Sequence, residues 1–558
     1  MDLPSGDAGP HGIYYPHCEA TTIDRLASSE VERHRPGRHR PLFPPGWRVL
    51  GNSRLGNVLA KRQEDPAEYQ TQRYSQGRTP ATQTIYCNEE SSMTLRVGII
   101  GAGPSGMAQL RAFESARQKG AAIPEILCFE KQDDWGGQWN SSWRTGLDAH
   151  GEPVHTSMYR HLWSNGPKEC LEFSDYSFDE HFGRAISSFP SREVLFDYIK
   201  GRVEKSDVRK YVRFNTVARH TSYNEDTQEF TLTVENLKTN ITETHVFDKL
   251  VVSTGHFSVP SVPEFKGIKT FPGEVMHAHD FRGAERFDGR KLLMIGSSYS
   301  AEDIGMQAHK MGAESITFSY RTAPMGYEWP ANTVERPLVT HFQGRTAYFS
   351  DGTQDDFDVV VLCTGYQHKY PFLPSGLSLK SPNVLYPGNL YKGVVWQQNT
   401  NLFYLGAQDQ YYTFNMFDAQ AWFARDVMTG VIDLPSLAER EADISLWLER
   451  LAALSNHDAE ADFQSDYLRE LIDATDYPSF DLDAVSQLFK DWMHHKETDI
   501  LGYRDMVHRS VVTGTMAAKH HTRWLYAMDD SMERYLNGPS QEVDAEVFAE
   551  ASGAVAAR

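Results

Sequence analysis

The residues with the clearest chemical signature are the glycines of a turn at residues 101–106, Gly-Ala-Gly-Pro-Ser-Gly, which is an intact GxGxxG motif. An apolar run precedes the turn and helical apolar spacing follows it, so a pyrophosphate could approach the backbone at a helix N-terminus. The next apolar run ends in Glu130, whose carboxylate can accept hydrogen bonds from a ribose diol. A Gly-Gly pair at 136–137, flanked by tryptophans, would let a planar ligand approach the backbone. Together these features predict an FAD site.

A second turn, at residues 296–301, reads Gly-Ser-Ser-Tyr-Ser-Ala and departs from the motif. Ser298 and Ala301 replace the second and third glycines, so a pyrophosphate is held less closely or partly by hydroxyl groups. The next strand-like run leads to Arg321 and Thr322. An arginine there suits the 2′-phosphate of NADPH, whereas an NAD site would carry an acid. The turn therefore favours NADPH over NADH; the alternative is that Arg321 is a solvated charge at a strand end.

The elements that must position these turns are strand–turn–helix units of the Rossmann type. A chain of 558 residues is too long for one hydrophobic core. Two Ser/Cys-Thr-Gly turns, at 253–255 and 363–365, follow short apolar strands and resemble crossovers between two nucleotide-binding domains. The predicted fold class is α/β, with a smaller NADPH-binding domain inserted into a split FAD-binding domain and with C-terminal helices. The predicted ranges are 93–261 and 373–545 for the FAD domain and 262–372 for the NADPH domain.

Residues 1–92 differ from the rest of the chain. The stretch 33–41 is basic and proline-rich and has neither helical nor strand periodicity. We expect a disordered extension or an over-long gene model over these residues, and a flexible tail at 546–558.

Composition argues against several classes of function. The formal net charge of −20 argues against a nucleic-acid partner, which needs a basic face. No apolar run is long enough for a transmembrane helix. The five cysteines are scattered without a CxxC pair, which fits a reducing compartment and argues against a zinc site or a redox disulfide. His277 and His279 lack a third ligand, so no metal site is expected. We expect a cytoplasmic protein without nucleic-acid or membrane partners.

The segment 271–281, between the two turns, reads Phe-Pro-Gly-Glu-Val-Met-His-Ala-His-Asp-Phe. It resembles the FxGxxxHxxx(Y/F) signature of flavin-containing monooxygenases, and Phe281 stands where Baeyer–Villiger enzymes carry a tryptophan. The resemblance covers residues 93–545. Further segments are similar to the bacterial trimethylamine monooxygenase branch of that family, namely 158–169, 296–305 and 321–327.

This resemblance implies a monooxygenase that uses FAD, NADPH and O2. In the family NADPH reduces FAD, NADP⁺ stays bound, and a C4a-hydroperoxyflavin forms whose distal oxygen is attacked by a soft nucleophile. The implied reaction is N-oxygenation of a small tertiary amine, foremost trimethylamine to trimethylamine N-oxide, by a homodimer. Alternatives are S-oxygenation or Baeyer–Villiger oxidation by the same fold, or an NADPH oxidase without productive oxygen transfer. The missing CxxC argues against a disulfide reductase.

The resemblance also implies roles for individual residues. Asn165 resembles the active-site asparagine beside the flavin, although an asparagine in a turn is also a common structural element. Tyr299 resembles the residue that contacts NADP⁺ and screens the site, and Trp492 resembles the aromatic wall of the substrate pocket. An aromatic face suits a trialkylamine, yet cation–π attraction favours its unreactive protonated form. The implied cofactor-binding residues are Gly101, Gly103, Ser105, Gly106, Glu130, Gln132, Gln138, Trp139, His155, Trp163, Ser164, Val217, Ser298, Ser300, Arg321, Thr322, Gln410 and Thr413.

Overall fold

The computed structural model describes residues 83–84 and 94–527. The helices of these residues are α1 Pro104–Gln118, α2 Phe178–Phe182, α3 Arg192–Glu204, α4 Tyr299–Lys310, α5 Thr413–Met428, α6 Leu437–Ala452, α7 His457–Asp473 and α8 Leu482–Thr498. The strands are β1 Gln83–Thr84, β2 Arg96–Ile100, β3 Glu125–Phe129, β4 Val212–Arg213, β5 Thr216–Asn224, β6 Glu229–Asn236, β7 Ile241–Phe247, β8 Lys249–Val252, β9 Glu274–His277, β10 Lys291–Ile295, β11 Ser315–Ser319, β12 Thr333–Arg336, β13 Val339–Gln343, β14 Thr346–Phe349, β15 Gln354–Asp356, β16 Val359–Leu362, β17 Leu390–Tyr391, β18 Val395–Trp396 and β19 Leu402–Tyr404.

The larger sheet has the strand order β17-β18-β19-β8-β2-β3-β4. Strands β19, β8, β2, β3 and β4 run parallel to one another. The apolar runs of β2 and β8 are buried almost without interruption, as strands covered on both faces require. Helix α1 follows β2 and packs against α5, so the two halves of the sequence share one core.

The smaller sheet has the order β12-β11-β10-β16-β9 and is parallel throughout. Its strands come from residues 274–336 and 359–362, which lie between β8 and β17 of the larger sheet. The chain therefore leaves the larger sheet, builds the smaller one and returns. This topology confirms the predicted fold class, with one Rossmann-like unit inserted into another. The exact domain boundaries remain predictions.

Two antiparallel sheets and the C-terminal helices complete the described part of the chain. Strands β5, β6 and β7 form a meander, with β1 parallel to β7, and β13, β14 and β15 form a second one. Helix α7 packs on α5 and α8, which confirms the predicted C-terminal helices. None of the helices that the structure describes is long and apolar enough to cross a membrane.

Most of the predicted N-terminal extension lies outside the described residues. Of residues 1–92 only 83–84 are described, as a short strand beside Glu243 and Thr244. The predicted tail at 546–558 also lies outside them, as does the end of the second FAD-domain range beyond residue 527.

Candidate functional site

The first glycine turn leaves no room for side chains. Gly101 has a φ of 101°, and a Cβ on it would lie 2.6 Å from the carbonyl oxygen of Ser253. A Cβ on Gly106 would lie 2.0 Å from the carbonyl oxygen of Gly101. Helix α1 begins at Pro104, and Gly103 at its N-cap offers no capping side chain. Uncapped N–H groups beside a backbone without side chains form a site for a pyrophosphate.

Glu130 closes this turn from the next strand. Its Oε2 accepts the N–H of Ala102 at 2.7 Å, and its Oε1 accepts that of Gln132 at 2.8 Å. Burial raises the pKa of the Glu130 carboxyl, while the two backbone donors favour the charged form. A carboxylate has about four acceptor positions, so positions remain for a ribose diol. The Nε2 of Gln132 donates to Gly137, and β5, which contains Val217, begins beside Glu130.

The Gly-Gly pair packs directly on the first turn. A Cβ on Gly137 would lie 2.9 Å from the Cα of Gly103. The Nε2 of Gln138 donates to the carbonyl oxygens of His155 and Phe257, both at 3.0 Å. Burial lowers the pKa of His155 to about 3, so its imidazole is neutral at physiological pH. The predicted residues gathered around the first turn are Gly101, Gly103, Ser105, Gly106, Glu130, Gln132, Gln138, His155 and Val217.

The returning part of the larger domain supplies another wall. Thr413 is the first residue of α5, and the ring of the next residue, Phe414, lies 6.0 Å from that of Trp139. The Nε2 of Gln410 donates to the carbonyl oxygen of Gln408 at 2.7 Å. Thr413 thus stands on the side of the site that contains Trp139, and Gln410 lies three residues before it in the chain.

The second glycine turn repeats the first on the smaller sheet. Gly296 has a φ of 130°, and a Cβ on it would lie 2.2 Å from the carbonyl oxygen of Cys363. Helix α4 begins at Tyr299, directly after Ser298, whose exposed side chain makes no capping bond. Ser300 lies in the first turn of the helix. This N-terminus is therefore open to a second pyrophosphate.

Arg321 and Thr322 follow the strand beside this turn. Strands β10 and β11 are parallel, and the N–H of Gly296 donates to the carbonyl oxygen of Ser319 at 3.0 Å. Both Arg321 and Thr322 are exposed. Since parallel strands end at one edge of the sheet, the guanidinium group follows the strand next to the glycine turn, where a bound NADPH would carry its 2′-phosphate.

Both turns fit a dinucleotide, because each is a cradle that a single added Cβ would fill. A further polar group supports the fit at the first turn. The Oγ1 of Thr254, in the crossover turn after β8, is buried and has no hydrogen-bond partner among the described residues. The residues present are therefore those that could hold FAD at the first turn and NADPH at the second.

The segment 271–281 forms the junction between the two sheets. The Nδ1 of His277 accepts the N–H of His279 at 3.0 Å, which places the ring proton on Nε2, 3.1 Å from the carbonyl oxygen of Gly365. Burial lowers the pKa of His277 to about 4. Arg282 directly follows this segment. Its guanidinium group donates to backbone carbonyl groups on both sides of the junction. His277 is thus a structural residue, and the described residues hold no cluster of three metal-ligating side chains.

Asn165 lies on a loop and directly follows two buried residues, Trp163 and Ser164. Its side chain is exposed and makes no hydrogen bond within the part of the chain that the structure describes. The Oγ of buried Ser164 donates to the carbonyl oxygen of Gly166 at 2.5 Å. The buried ring of Trp163 lies 4.3 Å from that of His520. The side chains of Trp163 and Ser164 thus hold the loop, and the loop presents Asn165.

Trp492 packs on the Asn165 loop. A Cβ on Gly166 would lie 3.4 Å from the Cη2 of Trp492, so the ring sits on the backbone next to Asn165. Trp492 is buried, and its Nε1 has no hydrogen-bond partner among the described residues. Tyr299 reaches the same cluster, because the Nζ of Lys496 lies 4.8 Å from the Tyr299 ring centre and 5.2 Å from that of Trp492. The structure therefore brings together the residues predicted for catalysis and substrate binding.

The charges of this cluster were not predicted from the sequence. Lys496 and Glu302 form an ion pair at 2.9 Å, and their side chains are 0 % and 2 % exposed. Burial, and then the charges of Glu302 and Asp409, raise the pKa of the Tyr299 phenol, so the phenol stays protonated. Burial also raises the pKa of Asp409. In the sequence, Glu302 looks like any solvated charge on a helix. Its burial on α4 becomes visible only in the structure.

Known proteins resemble this chain over most of its length. The flavin-binding monooxygenase-like family model matches residues 94–326 and 331–495. Trimethylamine monooxygenase of Methylocella silvestris is 60 % identical over 444 residues, which cover 80 % of this chain and 98 % of that protein. The crystal structure of Tmm from Pelagibacter sp. strain HTCC7211 is 54 % identical, with a TM-score of 0.77, and the match covers 79 % of this chain and 100 % of that one. S-allyl-L-cysteine S-oxygenase from Allium sativum is 25 % identical, with a TM-score of 0.64, over 74 % of this chain and 95 % of that one.

Proposed function

The chain belongs to the flavin-binding monooxygenase-like family, and we propose that it N-oxygenates a small tertiary amine, foremost trimethylamine, with NADPH and O2. The family uses FAD and NADPH, which confirms the two cofactors predicted from the glycine turns. The relatives from Methylocella and Pelagibacter are trimethylamine monooxygenases, which supports the choice of substrate.

The observation that carries the proposal is that Tyr299 and Trp492 meet at the buried Lys496, while Trp492 also packs on Gly166, the residue next to Asn165. An exposed amide, a protonated phenol and an aromatic wall suit the transfer of one oxygen atom to an uncharged nucleophile. Such chemistry depends on positioning and on the exclusion of water more than on strong acids or bases.

The first glycine turn would hold FAD, which would supply the redox chemistry that links NADPH to O2. The chain's own residues bind the cofactors, orient the substrate and shield the site from water. The amide of Asn165 can donate a hydrogen bond to an oxygen atom at the flavin or to the nicotinamide amide. Tyr299 covers the site beside the second glycine turn with a phenol that stays protonated. His155, whose pKa lies at about 3, stays uncharged on the flavin side.

Lys496 favours the reactive form of the amine. Its ammonium group lies within about 5 Å of the ring centres of Tyr299, Tyr327 and Trp492. Those rings therefore already bind a fixed cation, and a protonated amine would have to compete with it. A neutral trialkylamine can pack against the rings without that repulsion. The fixed cation therefore supports binding of the neutral amine rather than of its protonated form.

The test is the stoichiometry of the FAD-loaded enzyme with NADPH, O2 and one substrate at a time: trimethylamine, dimethyl sulfide or cyclohexanone. We expect about one N-oxide for each NADPH oxidised, with trimethylamine preferred. Hydrogen peroxide in equal amount to NADPH, unaffected by the amine, would refute the proposal in favour of an oxidase. A preferred sulfoxide or lactone product would favour the S-oxygenation or Baeyer–Villiger alternative.

Asn165→Ala refines this test. The variant should still oxidise NADPH but release more hydrogen peroxide and less N-oxide, since the amide donor is lost. Asn224→Ala is the matched control, because Asn224 is an exposed asparagine whose side chain accepts backbone N–H groups in a hairpin turn. It should keep the product ratio of the unaltered enzyme. Equal product ratios for the two variants would contradict the role given to Asn165.

We further infer a homodimer in the cytoplasm; the family resemblance supports the dimer, and scattered cysteines without a CxxC pair support the compartment. Light scattering of the purified enzyme tests the dimer. Fractionation of the source cells tests the compartment.

A further inference from the structure

We propose that Arg504 is a positioning residue that holds the Asn165 loop at a fixed place relative to Tyr299. The inference deepens the proposed function and rests on it, because it assigns a cause to the placement of the two residues that would face the reacting atoms.

Arg504 is buried between the loop and the smaller sheet's helix α4. It lies in the Tyr503–Asp505 turn that follows α8, and it is 2 % exposed. Its Nε donates to the carbonyl oxygen of Ser164 at 3.2 Å, and its Nη2 donates to Oδ1 of Asp303. One planar guanidinium group therefore bonds both the residue before Asn165 and helix α4.

The same helix begins with Tyr299. Asp303 stands one helical turn after Tyr299, and its second oxygen accepts the phenol of Tyr159. Two turns into the helix, the Nε2 of Gln307 donates to the carbonyl oxygen of His161 at 2.6 Å. Residues 159–164 are thus tied to α4 at three points, of which Arg504 is the one next to Asn165.

This link matters because the position of the Asn165 side chain depends on the backbone of its loop. That side chain is exposed and makes no hydrogen bond with the described residues, so its position follows from the backbone on either side. On the far side, Gly166 packs against the ring of Trp492, and its carbonyl oxygen accepts a bond from the Oγ of Ser164, a residue of the same loop. A misplacement of about 1 Å in an active site can reduce the rate about 100-fold. Loss of the Arg504 bridge should therefore change how often the oxygen atom reaches the amine.

Arg504→Lys is the central variant. Lysine can keep the charge beside Asp303, but its compact ammonium lacks the planar fork that serves two acceptors at once. We expect FAD content to be kept, hydrogen peroxide to rise at the expense of N-oxide, and hydrogen exchange of peptides from 159–168 to be roughly 10- to 100-fold faster. Asp303→Asn, which weakens the other end of the bridge, should act in the same direction to a smaller extent.

The matched control is Arg202→Lys. Arg202 on α3 has a side chain that is 3 % exposed, and it bonds Asp418 of α5 at 2.6 Å and Asp175 at 2.7 Å; none of these residues belongs to 159–168. It should lose stability but keep both the product ratio and the exchange of 159–168. Hydrogen exchange is measured without substrate, so it tests the bridge even if trimethylamine is not the substrate.

Two results would overturn the inference. One is unchanged exchange of 159–168 in both Arg504→Lys and Asp303→Asn. The other is an equal rise in hydrogen peroxide for Arg202→Lys, which would make the effect one of general stability. Failure of the unaltered enzyme to oxygenate any amine, with faster exchange in Arg504→Lys, would instead refute the proposed function and leave the structural link intact.

Discussion

Lys496→Met tests the buried ion pair on which the aromatic cluster rests. The side chains of Lys496 and Glu302 are 0 % and 2 % exposed, and the charged atoms lie 2.9 Å apart. Methionine keeps much of the packing of the lysine stem but removes its charge, so the Glu302 carboxylate stays buried without its cation. Loss of one partner of a buried pair costs about 3–5 kcal/mol. We expect the free energy of unfolding to fall by that amount.

Lys269 offers a matched control for this variant. It pairs with Glu264 at the same 2.9 Å, but the two side chains are 69 % and 73 % exposed. Water screens such a pair, which contributes about 0–1 kcal/mol. Lys269→Met should therefore leave the free energy of unfolding almost unchanged. The difference between the two lysine variants isolates burial as the cause, because residue types and distance are the same.

The assay is thermal unfolding of the FAD-loaded enzyme, followed by flavin fluorescence and by circular dichroism. Protein and FAD concentrations must be equal in all samples, since a bound ligand stabilises the folded state. For a cooperative unit of about 250 residues, 1 kcal/mol corresponds to about 2 °C, so Lys496→Met should lower the midpoint by roughly 6–10 °C. The double variant Lys496→Met with Glu302→Leu should be more stable than the single one, because no unpaired charge remains.

Two outcomes would refute this reasoning. Equal midpoint shifts for Lys496→Met and Lys269→Met would show that burial does not set the cost. A double variant less stable than Lys496→Met would show that Glu302 is not left in an unfavourable state by the loss of its cation.

Three other predictions concern the cofactor turns and the buried histidines. Arg321→Ala should raise the KM for NADPH about 10- to 100-fold and leave that for NADH unchanged, because it removes a charge-assisted bond to the 2′-phosphate. Gly106→Ala should yield protein with little bound FAD, because the new Cβ would lie 2.0 Å from a backbone oxygen. The free energy of unfolding should fall between pH 7 and pH 5 by roughly 2 kcal/mol for each of His256 and His277, whose pKa values of about 3 and about 4 lie below that of an unfolded histidine.

Each of these three has its own check. Steady-state kinetics with both nucleotides test Arg321→Ala, and equal effects on both would contradict the phosphate contact. The flavin-to-protein ratio tests Gly106→Ala against Gly376→Ala, where a Cβ meets no atom within 4 Å; equal flavin loss in both would contradict the steric argument. Urea unfolding at both pH values tests the histidines. At pH 5 each histidine binds a proton in the unfolded state but stays neutral in the folded state, which favours unfolding. His256→Gln should remove roughly 2 kcal/mol of the fall between pH 7 and pH 5, and an unchanged dependence would contradict the assignment.

The fold could be predicted because its determinants are local. In each Rossmann unit the strand, the glycine turn and the following helix lie within one short stretch, and backbone sterics alone require glycine at Gly101 and Gly296. The position of Arg321 could also be predicted. Parallel strands end at the same edge of a sheet, so Arg321 had to lie at the edge that carries the second glycine turn. The predicted sites remain hypotheses for bound ligands, but their placement at the two turns needed no distant contact.

The candidate active site could be predicted only by family resemblance. Asn165 and Trp492 are distant in sequence and meet because α8 folds back onto the loop at Gly166. No periodicity or spacing within either segment specifies that contact. Arg282 was likewise missed, because its backbone acceptors become neighbours only when the two sheets are joined.

The sequence by itself thus determined two dinucleotide turns and the insertion of one Rossmann-like unit into the other. Only the tertiary structure decided which charges are buried. Glu302 and Lys496 are 194 residues apart, and Arg504 and Ser164 are 340 apart. In the sequence Glu302, Lys496 and Arg504 look like ordinary solvated charges, because a helix or turn does not show which of its faces another element will cover. Burial makes them costly to leave unpaired, and it is the packing of α4, α8 and the Asn165 loop that buries them.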